Sequence, residues 1–310
     1  MLKKILPVLF AAAIAAGGYF YWSALRTAAP DASAYLSPDD RMIEVAGANV
    51  RVRMEGRERA PPIVLLHGFI YSLETFDAWA EALKEDYRVI RFDLLGHGLS
   101  GPDPQQRYSP EERAEFLGMV MDALGVERAV IAGNSLGGLA AWRFAAASPD
   151  RVGALILISP GGYPANGVGD APLSPPPAMA LFLKTAPDAG VAYTLGNIYG
   201  DDSQVTPAKI KLVGDMMRRK GNGDAFVQSI EEFSLPDPEP LLNSITAPTL
   251  ILWGGDDIVI PVDHGRRMAA AIPDARLIVY DGVGHVAHEE APERSIMDVR
   301  AFLAETGAAN

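Results

Sequence analysis

The chain has 310 residues, of which 49% are hydrophobic and 21% are charged, and its formal net charge is −12. Such a composition is typical of a globular protein with a large core, and the scattered basic residues argue against a nucleic-acid partner. No cysteine is present, which excludes disulfides, thiol catalysis and cysteine-ligated metals.

The N-terminal 26 residues form the most apolar stretch. After Lys3 and Lys4, no charged residue occurs from Ile5 to Leu25, a run of 21 residues. A helix of that length, at ~1.5 Å per residue, matches the hydrocarbon thickness of a bilayer, and the aromatic residues 19–22 suit a membrane interface. We therefore predict an N-terminal membrane anchor over residues 1–26. Residues 27–40, rich in Ala, Pro, Ser and Asp, are predicted to be a tether.

The two lysines before the apolar run indicate the orientation of this anchor. Basic residues stay on the cytoplasmic side, so the remainder of the chain would lie outside the cytoplasm, in the periplasm or the extracellular space. The alternative is a signal peptide that is cleaved, which would leave a secreted protein. The sequence indicates no particular protein partner.

The next segments alternate between strand and helix patterns. Residues 42–55 alternate around a Gly47-Ala48-Asn49 turn and predict an antiparallel hairpin. Six short aliphatic runs follow, as expected of strands buried on both faces of a parallel sheet: IVLLHG, RVIRFDLLG, AVIAGNS, ALILISP, TLILWGG and RLIVYDG. Helical segments separate most of them, the clearest beginning at Ser109 with Pro110 and a capping-box Glu112. This alternation predicts an α/β fold with a mostly parallel, doubly wound sheet and its chemistry at the carboxyl edge.

The alternation stops between Gly161 and Pro248, a segment too long for a plain connection. It contains apolar helical stretches at residues 179–183 and 192–198 and a helix capped by Thr206. We interpret residues 161–248 as an inserted helical cap over the carboxyl edge. The core would then consist of residues 41–160 and 249–310.

A serine lies between two glycines where the third aliphatic run meets a helix. The stretch is Gly133-Asn134-Ser135-Leu136-Gly137, which fits the G-x-S-x-G pattern. A sharp strand-to-helix turn strains the serine backbone and leaves no room for side chains at 133 and 137. Such a turn exposes the hydroxyl for attack, although a glycine-rich turn without chemistry would carry the same pattern.

Five motifs in order decide between these interpretations. They are HGF at 67–69, FDLLGHGLS at 92–100, GNSLGG at 133–138, LWGGDDIVIP at 252–261 and GHVAHEEAPE at 284–293. Together they resemble the α/β-hydrolase fold family, and specifically its cap-bearing serine esterase/lipase branch, from Met42 to Leu303. Here the branch would carry an N-terminal membrane anchor.

The resemblance implies a catalytic triad in which Ser135 is the nucleophile, Asp257 the orienting acid and His285 the base. The backbone N–H groups of Phe69 and Leu136 would form the oxyanion hole. Asp257 is favoured over its neighbour Asp256, which is expected to be a solvated loop residue. His285 is likewise favoured over His288, which is expected to be an exposed neighbour on the last helix.

The other histidines fit structural roles. His67 is expected to shape the oxyanion loop through backbone hydrogen bonds, and His97 to fix a tight turn. The five histidines show no paired spacing typical of metal ligands, and no nucleotide-binding glycine motif occurs, so no metal and no cofactor is predicted.

These features predict a hydrolase that cleaves small apolar carboxylic esters through an acyl-enzyme intermediate. In the related C–C bond hydrolases a Trp usually follows the catalytic histidine, whereas this chain has Val286. Cap residues such as Met179, Phe182 and Met217 could hold an acyl chain or merely form the core of the cap. C–C hydrolysis, another acyl transfer, or a non-catalytic ligand-binding scaffold remain the alternatives.

Overall fold

The computed structural model describes residues 31–165 and 167–307, and it builds them around one sheet of eight strands. The strands are β1 (Asp40–Val45), β2 (Ala48–Glu55), β3 (Pro62–Leu66), β4 (Arg88–Phe92), β5 (Ala129–Asn134), β6 (Val152–Ile158), β7 (Thr249–Gly254) and β8 (Ala275–Tyr280). The predicted anchor over residues 1–26 lies outside the described residues. Among the helices that are described, none is both long and apolar enough to span a membrane.

The strand order is β1-β2-β4-β3-β5-β6-β7-β8. Strands β3 to β8 run parallel to one another, while β2 pairs antiparallel with both β1 and β4. The predicted α/β fold with a mostly parallel sheet is confirmed, and all six aliphatic runs form its strands. The order reverses around β3 and β5, and ligands bind at such a switch point in open α/β sheets.

The first hairpin turns one residue earlier than the sequence indicates. Val45 pairs with Ala48, so Ala46 and Gly47 form the two-residue turn, with φ angles of 47° and 82°. Two positive φ values in a two-residue hairpin match the right-handed twist of the strands. The predicted Gly47-Ala48-Asn49 turn was wrong because Ala48 and Asn49 already pair within the ladder.

Eleven α-helices are described. They are α1 (Asp77–Leu83), α2 (Pro110–Ala123), α3 (Ser135–Ala147), α4 (Pro177–Thr185), α5 (Asp188–Ile198), α6 (Pro207–Arg218), α7 (Asn222–Glu231), α8 (Glu239–Leu242), α9 (Val262–Ala271), α10 (Ala287–Glu290) and α11 (Pro292–Thr306). Four 3-10 helices cover Ala32–Tyr35, Leu73–Phe76, Pro149–Arg151 and Asp202–Gln204. The predicted capping box at the start of α2 is present: the Ser109 hydroxyl accepts from the Glu112 amide, and the Glu112 carboxylate accepts from the Ser109 amide.

Side chains of successive strand residues point to opposite faces and fill two cores. In β3, Val64 and Leu66 pack in the core that contains α2 and α3, whereas Ile63 and Leu65 pack in the core that contains α1 and α11. Both faces are covered, which explains why these strands are almost entirely apolar.

Helices α4 to α8 follow β6 and precede β7 along the chain, within the segment interpreted as a cap. A third apolar cluster joins this segment to the carboxyl edge of the sheet, since it contains Leu183 and Phe226 from the predicted cap together with Ile70 and Val286 from the predicted core. Met217 is fully buried in this cluster, while Met179 is 46% exposed. The cap methionines therefore divide between core and surface positions.

The described part of the predicted tether, from Asp31 to Asp40, contacts both the core and the cap. The hydroxyl of Tyr35 donates to the carboxylate of Asp215 on α6. The carbonyl of Tyr35 accepts from the buried guanidinium of Arg51 at 2.7 Å, and that guanidinium also pairs with Asp40 at 2.8 Å. Between Tyr35 and Asp40 this segment is therefore docked on the protein surface.

Candidate active site

The candidate nucleophile lies at the junction of β5 and α3. Ser135 has φ +52° and is partly exposed, immediately after a strand that is buried throughout. A Cβ at Gly133 would overlap the backbone of Gly137, and one at Gly137 would overlap the carbonyls of Leu66 and His67 at the end of β3. The glycines therefore permit a turn tight enough to hold Ser135 in a strained conformation.

The candidate acid and base are in direct contact. The Nδ1–H of His285 donates to Oδ2 of Asp257 at 2.8 Å, and both side chains are almost completely buried. The other carboxylate oxygen, Oδ1, accepts from the amides of Val259 and Ile260 at 2.9 Å each. The carboxylate is thus fixed in orientation, and it leaves Nε2 of a neutral His285 available to take a proton.

The two loops that carry this pair are joined by the backbone. The amide of Asp256 donates to the carbonyl of Val283 at 2.9 Å. The side chain of Asp256 is exposed, as expected of a solvated neighbour. Position along the chain alone could not choose between two adjacent aspartates, whereas the structure turns Asp257 alone toward the histidine.

Asn134 links the serine to the histidine loop and is a residue whose role the sequence analysis missed. Its side-chain amide donates to the carbonyls of Ile158 and His285, at 3.1 Å in both cases. In the described chain no hydrogen bond joins the hydroxyl of Ser135 to the ring of His285, and such bonds often tighten only when substrate is bound. A buried Asn directly before the serine was the available signal, because a buried amide requires partners.

The candidate oxyanion hole has two unoccupied donors. No hydrogen bond is made by the amides of Phe69 and Leu136 within the part of the chain that the structure describes. Leu136 is in the first turn of α3, where amides have no intrahelical acceptor, and the side chain of Asn134 does not cap that end. These amides can therefore bind a developing negative charge.

His67 and His97 support this loop. Nδ1 of His67 donates to the carbonyl of Gly68 at 2.8 Å, and Nε2 accepts from the amide of Leu94 at 2.9 Å. This pattern requires the neutral ring, and burial lowers the pKa of His67 to about 4. The His97 ring packs edge-on against both Phe69 and Phe226, which also contact each other, and its Nδ1 is hydrogen-bonded to the carbonyl of Leu95. Both histidines have the structural roles that the sequence indicated.

His288 differs from the expectation. It is completely buried on α10, where it stacks on Phe76 at 4.4 Å between ring centroids and bonds through Nε2 to the Thr75 hydroxyl at 2.9 Å. The predicted exposed position was wrong because α10 is a single turn that packs its histidine inward. Burial lowers the pKa of His288 to about 3.

Because these histidines are buried in the neutral form, we expect the stability of the fold to decrease as the pH falls. The pKa values of His67, His97 and His288 are all lowered by burial, so only the unfolded chain takes up their protons as the pH falls below 6.5. Their stabilising contribution is complete above pH 6.5 and is lost toward pH 4. Between pH 7 and pH 5.5 these three histidines should lower the free energy of unfolding by about 4 kcal/mol, or about 1.3 kcal/mol each. The buried Asp93, whose pKa is raised to about 6, offsets part of this loss.

Urea denaturation at several pH values measures this slope. The substitution His288→Gln, which keeps a polar group facing Thr75, should reduce the loss between pH 7 and pH 5.5 by about 1.3 kcal/mol. An unchanged slope in this variant would show that His288 does not take part in the pH dependence.

Fold and site together define a hydrolase built on an α/β sheet, with a strained serine, a buried acid–histidine pair and unoccupied amides at one edge. The chain belongs to the alpha/beta hydrolase fold family, whose model matches residues 61–292. It is 33% identical, over 77% of its length and 86% of the relative's, to the 2-hydroxy-6-oxononadienedioate/2-hydroxy-6-oxononatrienedioate hydrolase of Cupriavidus pinatubonensis.

Two solved structures illustrate the range of similar proteins. A bacterial membrane phospholipase A is 27% identical, with a TM-score of 0.75, and the match covers 99% of both chains. A meta-cleavage product hydrolase from Pseudomonas fluorescens is 25% identical, also with a TM-score of 0.75, over 86% of this chain and 97% of the other. The curated relatives favour the alternative expectation, C–C bond hydrolysis, over ester hydrolysis, even though Val286 replaces the Trp that the sequence analysis associated with that branch.

Proposed function

We propose that the chain is a serine hydrolase that cleaves carboxylic esters of apolar acids through an acyl-enzyme. In this proposal His285 removes the proton from the Ser135 hydroxyl, and the serine oxygen attacks the carbonyl carbon. The amides of Phe69 and Leu136 hold the oxyanion, and Asp257 stabilises the imidazolium. His285 then protonates the departing alkoxide, and a water molecule activated by the same ring releases the acid.

The observation that carries the ester proposal is the apolar character of the surface around the site. Phe69, whose amide is a candidate oxyanion donor, and Val259, whose amide binds Asp257, are partly exposed and pack against the apolar cluster between cap and core. Val286, which follows His285, is fully buried within that cluster. An acyl chain gains free energy from contact with such a surface, at roughly 25 cal/mol per Å² buried.

The charges of the cap also suit an uncharged substrate. Four of its cations are paired with carboxylates: Lys184 with Asp224, Lys209 with Glu289, Lys211 with Asp215, and Arg218 with both Asp188 and Asp215. A substrate carboxylate buried beside the site would need a cation to compensate its desolvation. These four side chains are therefore unavailable to a substrate carboxylate, and of the two remaining cations of the predicted cap, Lys220 and Arg219, the latter donates to the carbonyl of Gly98.

C–C bond hydrolysis is the second candidate, and the curated relatives are the observation that favours it. Most of these relatives are named as hydrolases of hydroxy-oxo-dienoates or dienedioates, which carry one or two carboxylates beside a ketone. The same serine could attack that ketone, with a stabilised carbanion rather than an alkoxide as the leaving group. The two candidates differ in the bond broken and in the charge of the substrate.

A comparison of rates with the two kinds of substrate distinguishes the two candidate functions. Initial rates would be measured with p-nitrophenyl esters from acetate to laurate, and with a 2-hydroxy-6-oxo-dienoate whose conjugated absorbance disappears on cleavage. We expect kcat/KM for the best ester to exceed that for the dienoate at least 100-fold. A dienoate that is turned over faster than every ester would overturn the ester proposal and establish C–C hydrolysis.

We further propose that the N-terminal segment holds this hydrolase at a membrane, with the catalytic part outside the cytoplasm. The support is the uncharged run from Ile5 to Leu25 behind two lysines. The similar phospholipase, matched over 99% of both chains, is described as a membrane protein. Acyl esters in or beside a bilayer would then be within reach of the site.

A further inference from the structure

Glu290 connects the candidate catalytic histidine to the cap. One carboxylate oxygen of Glu290 accepts from the amide of Gly284 at 2.9 Å, and the other accepts from the amide of Gly200 at 2.8 Å. Gly284 directly precedes His285, whereas Gly200 lies two residues beyond the last residue of helix α5 in the cap. One side chain therefore binds the histidine loop and the cap at the same time.

The backbone of the histidine loop also contacts the backbone of the cap directly. The amide of His285 donates to the carbonyl of Ile198 at 2.7 Å. A Cβ added to Gly284 would overlap the Ile198 carbonyl and the Gly200 amide, so the close approach requires glycine at this position. The cap turn, residues 198–200, thus holds both amides of the loop. The amide of His285 binds the turn itself, and the amide of Gly284 binds Glu290, which in turn binds Gly200.

We propose that Glu290 and the cap turn 198–200 position His285, so that the docked cap sets the orientation of the base. The Asp257 bond fixes one ring nitrogen, and Asn134 and Asp256 hold the carbonyls of His285 and Val283. The amides of Gly284 and His285 are held from the other side, by Glu290 and by the Ile198 carbonyl, so the backbone of the base is fixed only when the cap turn is in place. Glu290 touches neither substrate nor the reacting atoms and is therefore a positioning residue. The inference rests on the proposed function, in which His285 is the base.

The neighbouring Glu289 provides a matched control on the same helix. Its carboxylate accepts from Thr75, Tyr199 and Lys209, so it also joins the cap to the core. None of these bonds is made to residues 283–286, the loop that carries the histidine. Glu289 reaches the cap turn only through the hydroxyl of Tyr199, whereas Glu290 binds a backbone amide of the turn and one of the histidine loop. The two variants therefore separate side-chain attachment of the cap from direct positioning of the base.

The experiment compares Glu290→Gln with Glu289→Gln. Glutamine has the shape of glutamate but only one acceptor oxygen, so its NH₂ group would face one of the two amides that Glu290 binds. For E290Q we expect kcat to fall about tenfold with KM changed less than twofold, and the rate constant of Ser135 labelling by a fluorophosphonate to fall by the same factor. For E289Q, kcat and the labelling rate should stay within twofold of the wild type.

Thermal melting of each variant accompanies the kinetics, and all rates are measured at least 15 °C below the lower Tm. Equal losses of kcat in E290Q and E289Q, or wild-type labelling in E290Q, would overturn the positioning role. An absence of Ser135 labelling in the wild type would instead overturn the proposed function itself. The probe reports the reactivity of the serine whichever substrate bond is cleaved, so the two failures can be distinguished.

Discussion

Replacement of Ser135 by alanine is expected to reduce kcat/KM for the best substrate by roughly 10⁴-fold or more, because the covalent intermediate can no longer form. The loss should appear in kcat, while substrate binding in the apolar cluster remains. Rates with the preferred p-nitrophenyl ester and intact mass after fluorophosphonate treatment measure it. The wild type should gain the mass of one label, and the variant none.

Ser159 provides a control for this substitution. It follows β6 at the same edge of the sheet, has φ +41°, and its buried hydroxyl has no hydrogen-bond partner in the described chain. Ser159→Ala removes the same oxygen from a similarly strained position, so its activity should stay within twofold of the wild type. A similar loss in both variants would indicate a general packing defect, and full activity of S135A would remove Ser135 from the mechanism.

The fold could be predicted from the sequence because local signals agree with the global arrangement. The aliphatic runs of β3, β5, β6 and β7 have no alternation, so only a sheet covered on both faces can bury them. Ser109 and Glu112 set the start of α2 through contacts three residues apart. Such short-range contacts need no knowledge of the rest of the chain.

The turn of the first hairpin could not be placed so well. Ala46 has a positive φ that its residue type disfavours, and it adopts this conformation because the register of β1 and β2 requires a two-residue turn there. Register depends on pairing across the sheet, which neither strand encodes alone.

Contacts between segments that are distant along the chain were the part of the site that could not be predicted from the sequence. Asn134 and His285 are 151 positions apart, and Gly200 and Glu290 are 90 apart. His288 was expected at the surface because helical spacing does not show that a one-turn helix packs against Phe76. Residue types at motif positions indicated the candidate chemistry, but the atoms that hold those residues in place come from tertiary structure.

The substitution Asp257→Asn is expected to lower kcat by about 10⁴-fold, since an acid that orients the base in this way is nearly as important as the base itself. Three donors converge on the Asp257 carboxylate: the Nδ1–H of His285 and the amides of Val259 and Ile260. Asparagine has a single acceptor oxygen, so its NH₂ group must face either the histidine or the two amides.

Either orientation of that amide disables the base. If the NH₂ group faces His285, the ring must accept at Nδ1, which moves the proton to Nε2, where the serine hydroxyl needs an acceptor. If it faces the amides, the loop that carries residue 257 loses two hydrogen bonds and shifts. Asp256→Asn is the matched control, because that side chain is exposed, and its kcat should remain within twofold of the wild type. The ratio of the two kcat values therefore tests the assignment: a large loss in D256N with an active D257N would transfer the role of the acid to Asp256.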